Sequence, residues 1–198
     1  MTSDFRIERL QGAAAHKYLP EVAKLRITVF REYPYLYDGD LDYEEKYLKT
    51  YTDSPGSVIV AVFAGDKIVG AATGLPMTDA DHAVREAFSN RGYNLADWFY
   101  HGESVLLPEY RGCGIGVEFF RQRETHAREL GGMTYATFCG VYRPDDHPLK
   151  PDGYVPLHAF WRNRGYQPLP GVRCYFTWKE IGESEESPKP LDFWYKQL

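Results

Sequence analysis

At 198 residues, with 43% apolar and 26% charged side chains, the chain suits one globular domain with a real core. Its net charge of −5 argues against nucleic acid as a partner, which needs a basic face, and favours a small or cationic one. No apolar run approaches a membrane span, the N-terminus lacks the charged start and apolar core of an export signal, and Cys113, Cys139 and Cys174 are too scattered for a disulfide framework or a zinc site, so a reducing cytoplasm without membrane or metal is expected.

In chain order, residues 5–9 alternate apolar and charged side chains, the pattern of a half-buried strand. Residues 20–30 follow as a helix, with Pro20 in its first turn and Val22, Leu25, Ile27 and Val29 as apolar positions. A loop rich in tyrosine, proline and aspartate leads into a second helix over residues 41–51. Residues 57–64 and 67–75 are apolar, β-branched runs joined by Gly65 and Asp66, a hairpin signal. Residues 79–90 carry the pattern of a short helix with a capping aspartate, and 91–97 form a connector; this 77–97 stretch could be a lid, a pocket wall or an oligomer contact.

Residues 104–107 are a short apolar segment stopped by Pro108, which predicts a buried strand. Gly112, Gly114 and Gly116 then make a tight turn. Behind them residues 117–130 form a helix with Phe119, Phe120, Ala127 and Leu130 on one face, interrupted by Arg123 and ended by Gly131 and Gly132. Strand, glycine turn and helix make an anion site, because a helix start leaves backbone N–H groups unpaired at the positive dipole end. The spacing excludes two common phosphate loops. Gly116 is followed by Val117 and Glu118 rather than lysine and a hydroxyl residue, and the glycines fall at offsets 0, 2 and 4 rather than 0, 2 and 5.

The segment does resemble the acyl-CoA loop of the GNAT superfamily of N-acetyltransferases. Its Arg/Gln-x-x-Gly-x-Gly/Ala signature stands here as Arg111, Gly112, Cys113, Gly114, Ile115 and Gly116, after a Val-Leu-Leu-Pro-x-Tyr lead-in. The resemblance implies the acyl-CoA N-acyltransferase fold, an α/β (α+β) domain with a mixed, mainly antiparallel sheet of six to seven strands and helices on both faces. It implies acetyl-CoA as co-substrate, held by Val105, Leu106, Leu107, Arg111, Gly112, Cys113, Gly114, Ile115 and Gly116. It further implies direct transfer, without an acyl-enzyme, to a small-molecule amine. In that family the loop between the first two helices walls the acceptor pocket, so Tyr33, Tyr35, Tyr37 and Asp38 become substrate candidates able to attract a protonated amine. Aspartates there could equally cap and solvate the next helix.

Residues 134–141 read as the next strand, parallel to the central one, and 143–154 as a proline-rich loop. Residues 156–165 form a helix resembling the family's late helix, but Trp161 stands where many members carry a tyrosine that protonates the leaving thiolate. Residues 172–178 make a last strand. The domain is therefore taken as residues 1–180, and residues 181–198 as a tail whose apolar end docks on the domain or on a partner subunit, which leaves a homodimer open.

Transfer to an amine needs a base, and Glu103 is the leading candidate because the family places a carboxylate at the start of the central strand. His101 and His147 are reserves in loop-like segments, and Tyr142 and Tyr154 are replacement acids. Two other classes compete: a cysteine hydrolase or acyltransferase using Cys139 with His147 or His158, for which no signature exists, and a non-catalytic acyl-CoA-binding sensor or interaction module, which the loss of the tyrosine at Trp161 keeps open.

Overall fold

The computed structural model describes residues 4–198; residues 1–3, which open the stretch read above for an export signal, lie outside the described residues. In chain order the elements are β1 (Arg6–Leu10), α1 (Gly12–His16), α2 (Leu19–Phe30), α3 (Leu41–Asp53), β2 (Val58–Ala64), β3 (Lys67–Pro76) and α4 (His82–Ser89). They continue as β4 (Trp98–Leu106), α5 (Ile115–Leu130), β5 (Tyr135–Val141), α6 (His158–Arg162), β6 (Gln167–Trp178) and β7 (Ser187–Gln197). Among the described residues one seven-stranded sheet runs in the order β1-β2-β3-β4-β5-β7-β6, and only the β4–β5 pairing is parallel. No described helix is long and apolar enough to cross a membrane.

Local chemistry accounts for most boundaries. Asp40 caps α3 by accepting from the Tyr43 N–H at 2.9 Å, and Asp81 caps α4 by accepting from Ala83 N–H at 2.8 Å. Gly65 turns the β2–β3 hairpin with φ +59°. The run Val58–Ala64 is buried on both faces of β2, so it reads as continuous apolar sequence rather than alternation. Val22, Leu25, Leu48 and Tyr51 of α2 and α3 pack on one side of the sheet; Ile115, Phe119 and Ala127 of α5 pack with Val58, Val60 and Phe99 on the other.

Three expectations need correction. The central strand begins at Trp98, six residues before the expected 104, because Trp98, Phe99 and Tyr100 are buried despite the polar residues that follow. Glu103 therefore lies well inside β4 rather than at its start, and His101 belongs to that strand rather than to a loop. The helix expected over 156–165 is reduced to His158–Arg162. Residues 172–178 are not in the last strand: β7 follows and inserts between β5 and β6, with Phe193 facing Cys139 on one side and Leu191 facing Cys174 on the other.

Candidate active site

The site starts from a bulge. Ala72 faces Ser104 and Gly74 faces His101, so the single residue Thr73 opposes both Gly102 and Glu103. Glycine is required at position 102, since a Cβ there would lie 1.8 Å from the Tyr51 hydroxyl oxygen. The extra residue bends β4 away from β5. Their parallel ladder holds only at Trp98, Phe99 and Tyr100 against Tyr135, Ala136 and Thr137, although β4 runs on to Leu106 and β5 to Val141. Beyond Tyr100 the two strands splay into a V whose facing edges carry backbone groups with no ladder partner across the gap.

The V opens into a cleft of about 1510 Å³. At its mouth stands the glycine loop. Gly112 and Gly114 take φ of +79° and +82°, a left-handed backbone that favours glycine, and Gly114 starts the 16-residue helix α5. The N–H groups of residues 112–116 have no hydrogen-bond acceptor among the described residues, and a Cβ on Gly112 or Gly114 would meet nothing within 4 Å. Unpaired amides at the positive end of a long helix, with open space before them, suit a phosphorylated ligand. Arg111 flanks them, its Nε donating to Leu106 O at 3.2 Å and its Nη2 lying 3.0 Å from Glu32 Oε2 at the surface.

Glu103 projects from the bulge toward α2 and α3 and is 7% exposed. Its Oε2 lies 2.8 Å from Arg26 Nη1 and accepts from the hydroxyls of Tyr47 at 3.1 Å and Tyr51 at 3.4 Å; its Oε1 is buried with no partner among the described residues. Arg26 also donates from Nε to Glu44 Oε2. Burial opposes the Arg26 charge, but Glu103, Tyr47 and Glu44 overcome it and hold the guanidinium well above the ordinary arginine value. Burial, then Glu103, pushes the Tyr47 and Tyr51 phenols up, so both stay protonated and donate. On the other face Arg123 is buried and donates from Nη1 to Thr73 O at 3.2 Å and Glu103 O at 3.1 Å and from Nη2 to Ser104 Oγ at 3.0 Å, which pins the bulge. Burial brings its value down to about 10.

The remaining candidates divide clearly. Leu106, Arg111, Gly112, Gly114 and Gly116 line the cleft, whereas Val105 and Ile115 are core residues, and neither Leu107 nor exposed Cys113 lines it. Tyr33 and Tyr35 line the cleft. Tyr37 lines instead a second cavity of about 90 Å³, and Asp38 faces solvent between Lys179 at 3.2 Å and Arg31 at 3.3 Å. His147 stands outside the lining, its Nδ1 accepting from Leu149 N–H at 3.2 Å, while His101 lines the cleft fully buried, with neither ring nitrogen bonded among the described residues. Tyr142, Tyr154 and Trp161 all line it, and the Trp161 ring lies where a Cβ on Gly140 would be 2.9 Å away. Cys139 also lines it from β5; burial and its hydrogen-bonding distance of 3.3 Å from the Tyr100 hydroxyl give it no base of the kind a cysteine nucleophile needs.

Sequence reasoning missed Arg26 and Glu44. Their signal is a charge in a buried register: Arg26 beside Val22 and Leu25 on α2, and Glu44 at the helical spacing of Leu48 and Tyr51 on α3.

Comparison with known proteins fits this geometry. Ribosomal-protein-alanine N-acetyltransferase from Brucella melitensis superposes with a TM-score of 0.62 at 15% identity, covering 98% of this chain and 99% of that one. An acetyltransferase from Streptococcus agalactiae gives 0.61 at 14% identity over 100% of both chains. YncA from Salmonella typhimurium, solved with its cofactor acetyl-CoA, gives 0.59 at 11% identity over 98% of this chain and 94% of that one. At such identities the likeness is one of fold. A search of curated proteins finds no match. The model of the acetyltransferase (GNAT) family, however, matches residues 22–150, well over half of the chain, and the protein therefore belongs to that family and is an acyltransferase.

Proposed function

We propose that this chain transfers an acetyl group from acetyl-CoA directly to the amine of a small, cationic acceptor. The observation that carries the reading is the V between β4 and β5, with the unpaired amides of residues 112–116 at its mouth and Glu103 at its bulge. The co-substrate supplies an acyl group already activated as a thioester.

The chain's own groups supply the rest. The loop amides bind a pyrophosphate, with Arg111 beside it, and the unladdered edge of β4 at Ser104 and Leu106, both in the cleft lining, offers backbone groups to an extended amide-bearing arm. The Glu103 N–H is spent on Thr73 Oγ1 at 3.2 Å, so the donors for a carbonyl oxygen on which negative charge develops come from the unladdered edge of β4 beyond Tyr100. Glu103 Oε1 accepts the proton that an ammonium must lose before its nitrogen can attack. Tyr33 and Tyr35 offer ring faces to the cation. For the departing thiolate Trp161 is a poor donor, and the phenols of Tyr142 and Tyr154, both in the cleft wall, or solvent supply the proton.

The test compares thermal unfolding midpoints with and without acetyl-CoA for the wild type and Gly114→Glu, whose carboxylate would intrude on the pyrophosphate. Ligand at about a hundred times its dissociation constant stabilises a specific site by about 2.7 kcal/mol. A shift in the wild type alone supports the reading, and an amine panel with free-thiol detection then identifies acceptors. No shift in either folded protein refutes it.

A further inference from the structure

On the α2/α3 side of the sheet, the cavity of about 90 Å³ adjoins the cleft, the two sharing Phe30, Tyr35, Gly102, Glu103 and Cys139 as walls. Tyr43, 40% exposed, also lines it. The cavity therefore lies between a surface ring and Glu103, on the side of the sheet opposite α5.

The charges of its walls do not balance. Two carboxylates, Glu44 and Glu103, share one guanidinium, Arg26, which leaves one negative charge in excess. Glu44 Oε1 and Glu103 Oε1 are both buried and without a partner at hydrogen-bond distance among the described residues, with Glu44 itself 0% and Glu103 7% exposed. The Tyr37 phenol, pushed up first by burial, stands close enough to Glu44 to be pushed up further by it. Orphaned acceptors in a buried site are costly, and an unbalanced charge more so. One small cation with several N–H donors would remedy both. Around them stand the rings of Tyr35, Tyr37, Tyr43, Tyr47 and Trp178, whose π faces attract a cation. Arg26 already exploits this, its guanidinium carbon lying 4.3 Å from the Tyr47 centroid and 5.0 Å from that of Phe30.

We propose that this cavity is the head-group site of the acceptor and takes a compact aliphatic primary ammonium with no carboxylate next to its nitrogen. The inference rests on the transfer reading above and deepens it. The ammonium donates to Glu44 Oε1 and Glu103 Oε1 and balances the excess charge, while its alkyl chain leaves past Tyr43. An α-amino acid would bring its own carboxylate against the same two groups, so like charge excludes it.

The experiment measures unfolding midpoints at pH 7 with propylammonium chloride, 1-propanol or alanine, each with and without coenzyme A and against sodium chloride of equal ionic strength. Propylammonium is expected to raise the midpoint saturably, and propanol and alanine are not. Glu44→Gln, which removes the excess charge and leaves the glycine loop alone, is expected to abolish the propylammonium shift and keep that of acetyl-CoA. Should Glu44→Gln fail to fold, Tyr43→Leu at the exposed rim carries the test, with half-saturation weakened about two- to fivefold. The head-group site is overturned if propylammonium gives no shift, if propanol or alanine matches it, or if the variants respond as the wild type does. Loss of the acetyl-CoA shift alone, with a Glu44-dependent propylammonium shift retained, would instead strike the transfer reading and leave the head-group site standing.

Discussion

Arg26 Nη1 lies 2.8 Å from Glu103 Oε2 while its Nε donates to Glu44, so one guanidinium on α2 holds a carboxylate of α3 and a carboxylate of β4. Three charges buried together contribute little net stability, because desolvation offsets their attraction, but removing the middle one strands the other two. The cluster therefore fixes where Glu103 points.

Arg26→Met tests this directly. It is expected to lower the unfolding free energy by about 3–5 kcal/mol in urea titrations. Adding Glu103→Gln and Glu44→Gln to it should restore part of the loss, since neutral amides no longer need the cation. A variant as stable as wild type would show that the cluster is not held as described.

Glu103→Gln separates binding from proton transfer. The amide keeps the shape and can still bond the hydroxyls of Tyr47 and Tyr51, but it cannot accept a proton. The expected result is a fall in kcat of about 10²–10⁴-fold with the acetyl-CoA stabilisation intact. A loss under tenfold would remove Glu103 from the role of base.

Gly102→Ala probes the bulge. The new Cβ would fall 1.8 Å from the Tyr51 hydroxyl oxygen and 2.5 Å from Thr73 Oγ1, and such overpacking costs about 1–3 kcal/mol. In a Tyr51→Phe background the cost should shrink, because the oxygen that clashes is gone. A double-mutant cycle with no coupling would place the strain elsewhere.

What could be read from the residues was what is encoded locally. The turn through Gly112 and Gly114 into α5 needs only left-handed glycines, one helical face and a terminal Gly131, and the hairpin at Gly65 needs only two flanking apolar runs. The charged cluster was hidden because Arg26, Glu44 and Glu103 come from three elements that meet only in the fold. Arg123 showed as a flaw in the apolar face of α5, and its reason lies in carbonyls of β3 and β4. Strand β7 was masked by Pro188 and Pro190, which argue against an internal strand. Pro188 lies opposite Thr177 of β6, beyond the reach of the β5 ladder, which starts at Leu191. Pro190, opposite Tyr175, uses only its carbonyl on the other side, accepting from Tyr142 N–H at 2.9 Å just past β5, so neither position needs the N–H that proline lacks.

Deleting residues 187–198 should accordingly abolish the fold. Leu191, Phe193 and Trp194 are buried on β7, each contributing about 1.5–3 kcal/mol, and the deletion also parts β6 from β5. That sum is comparable to the whole stability of about 5–15 kcal/mol of an ordinary domain. A truncated chain with dispersed amide resonances and a cooperative melt would reduce β7 to an accessory.

His101 should make the protein acid-sensitive. Burial first, then the nearby charge of Arg123, holds its pKa well below the ordinary histidine value. In the unfolded chain the ring takes up a proton as pH falls through about 6.5, whereas the folded chain resists it until well below. Over that window the unfolded state binds more protons, so stability falls with pH, by up to about 1.4 kcal/mol per unit for this one group. His126 and His158 are shifted in the same direction, again by burial first, and add to the slope. The carboxylates held low, Asp38 by Lys179, Glu118 by Arg121, Glu129 by Arg9 and Glu183 by Lys189, lose their contribution only below about pH 4.5 and leave the window clear. His101→Phe, which suits a site between Phe99, Phe120 and Tyr166, should flatten urea midpoints measured between pH 7 and 5.5. Parallel curves for variant and wild type would mean that His101 takes up its proton as readily in the folded chain as in the unfolded one, and that burial does not hold the ring neutral.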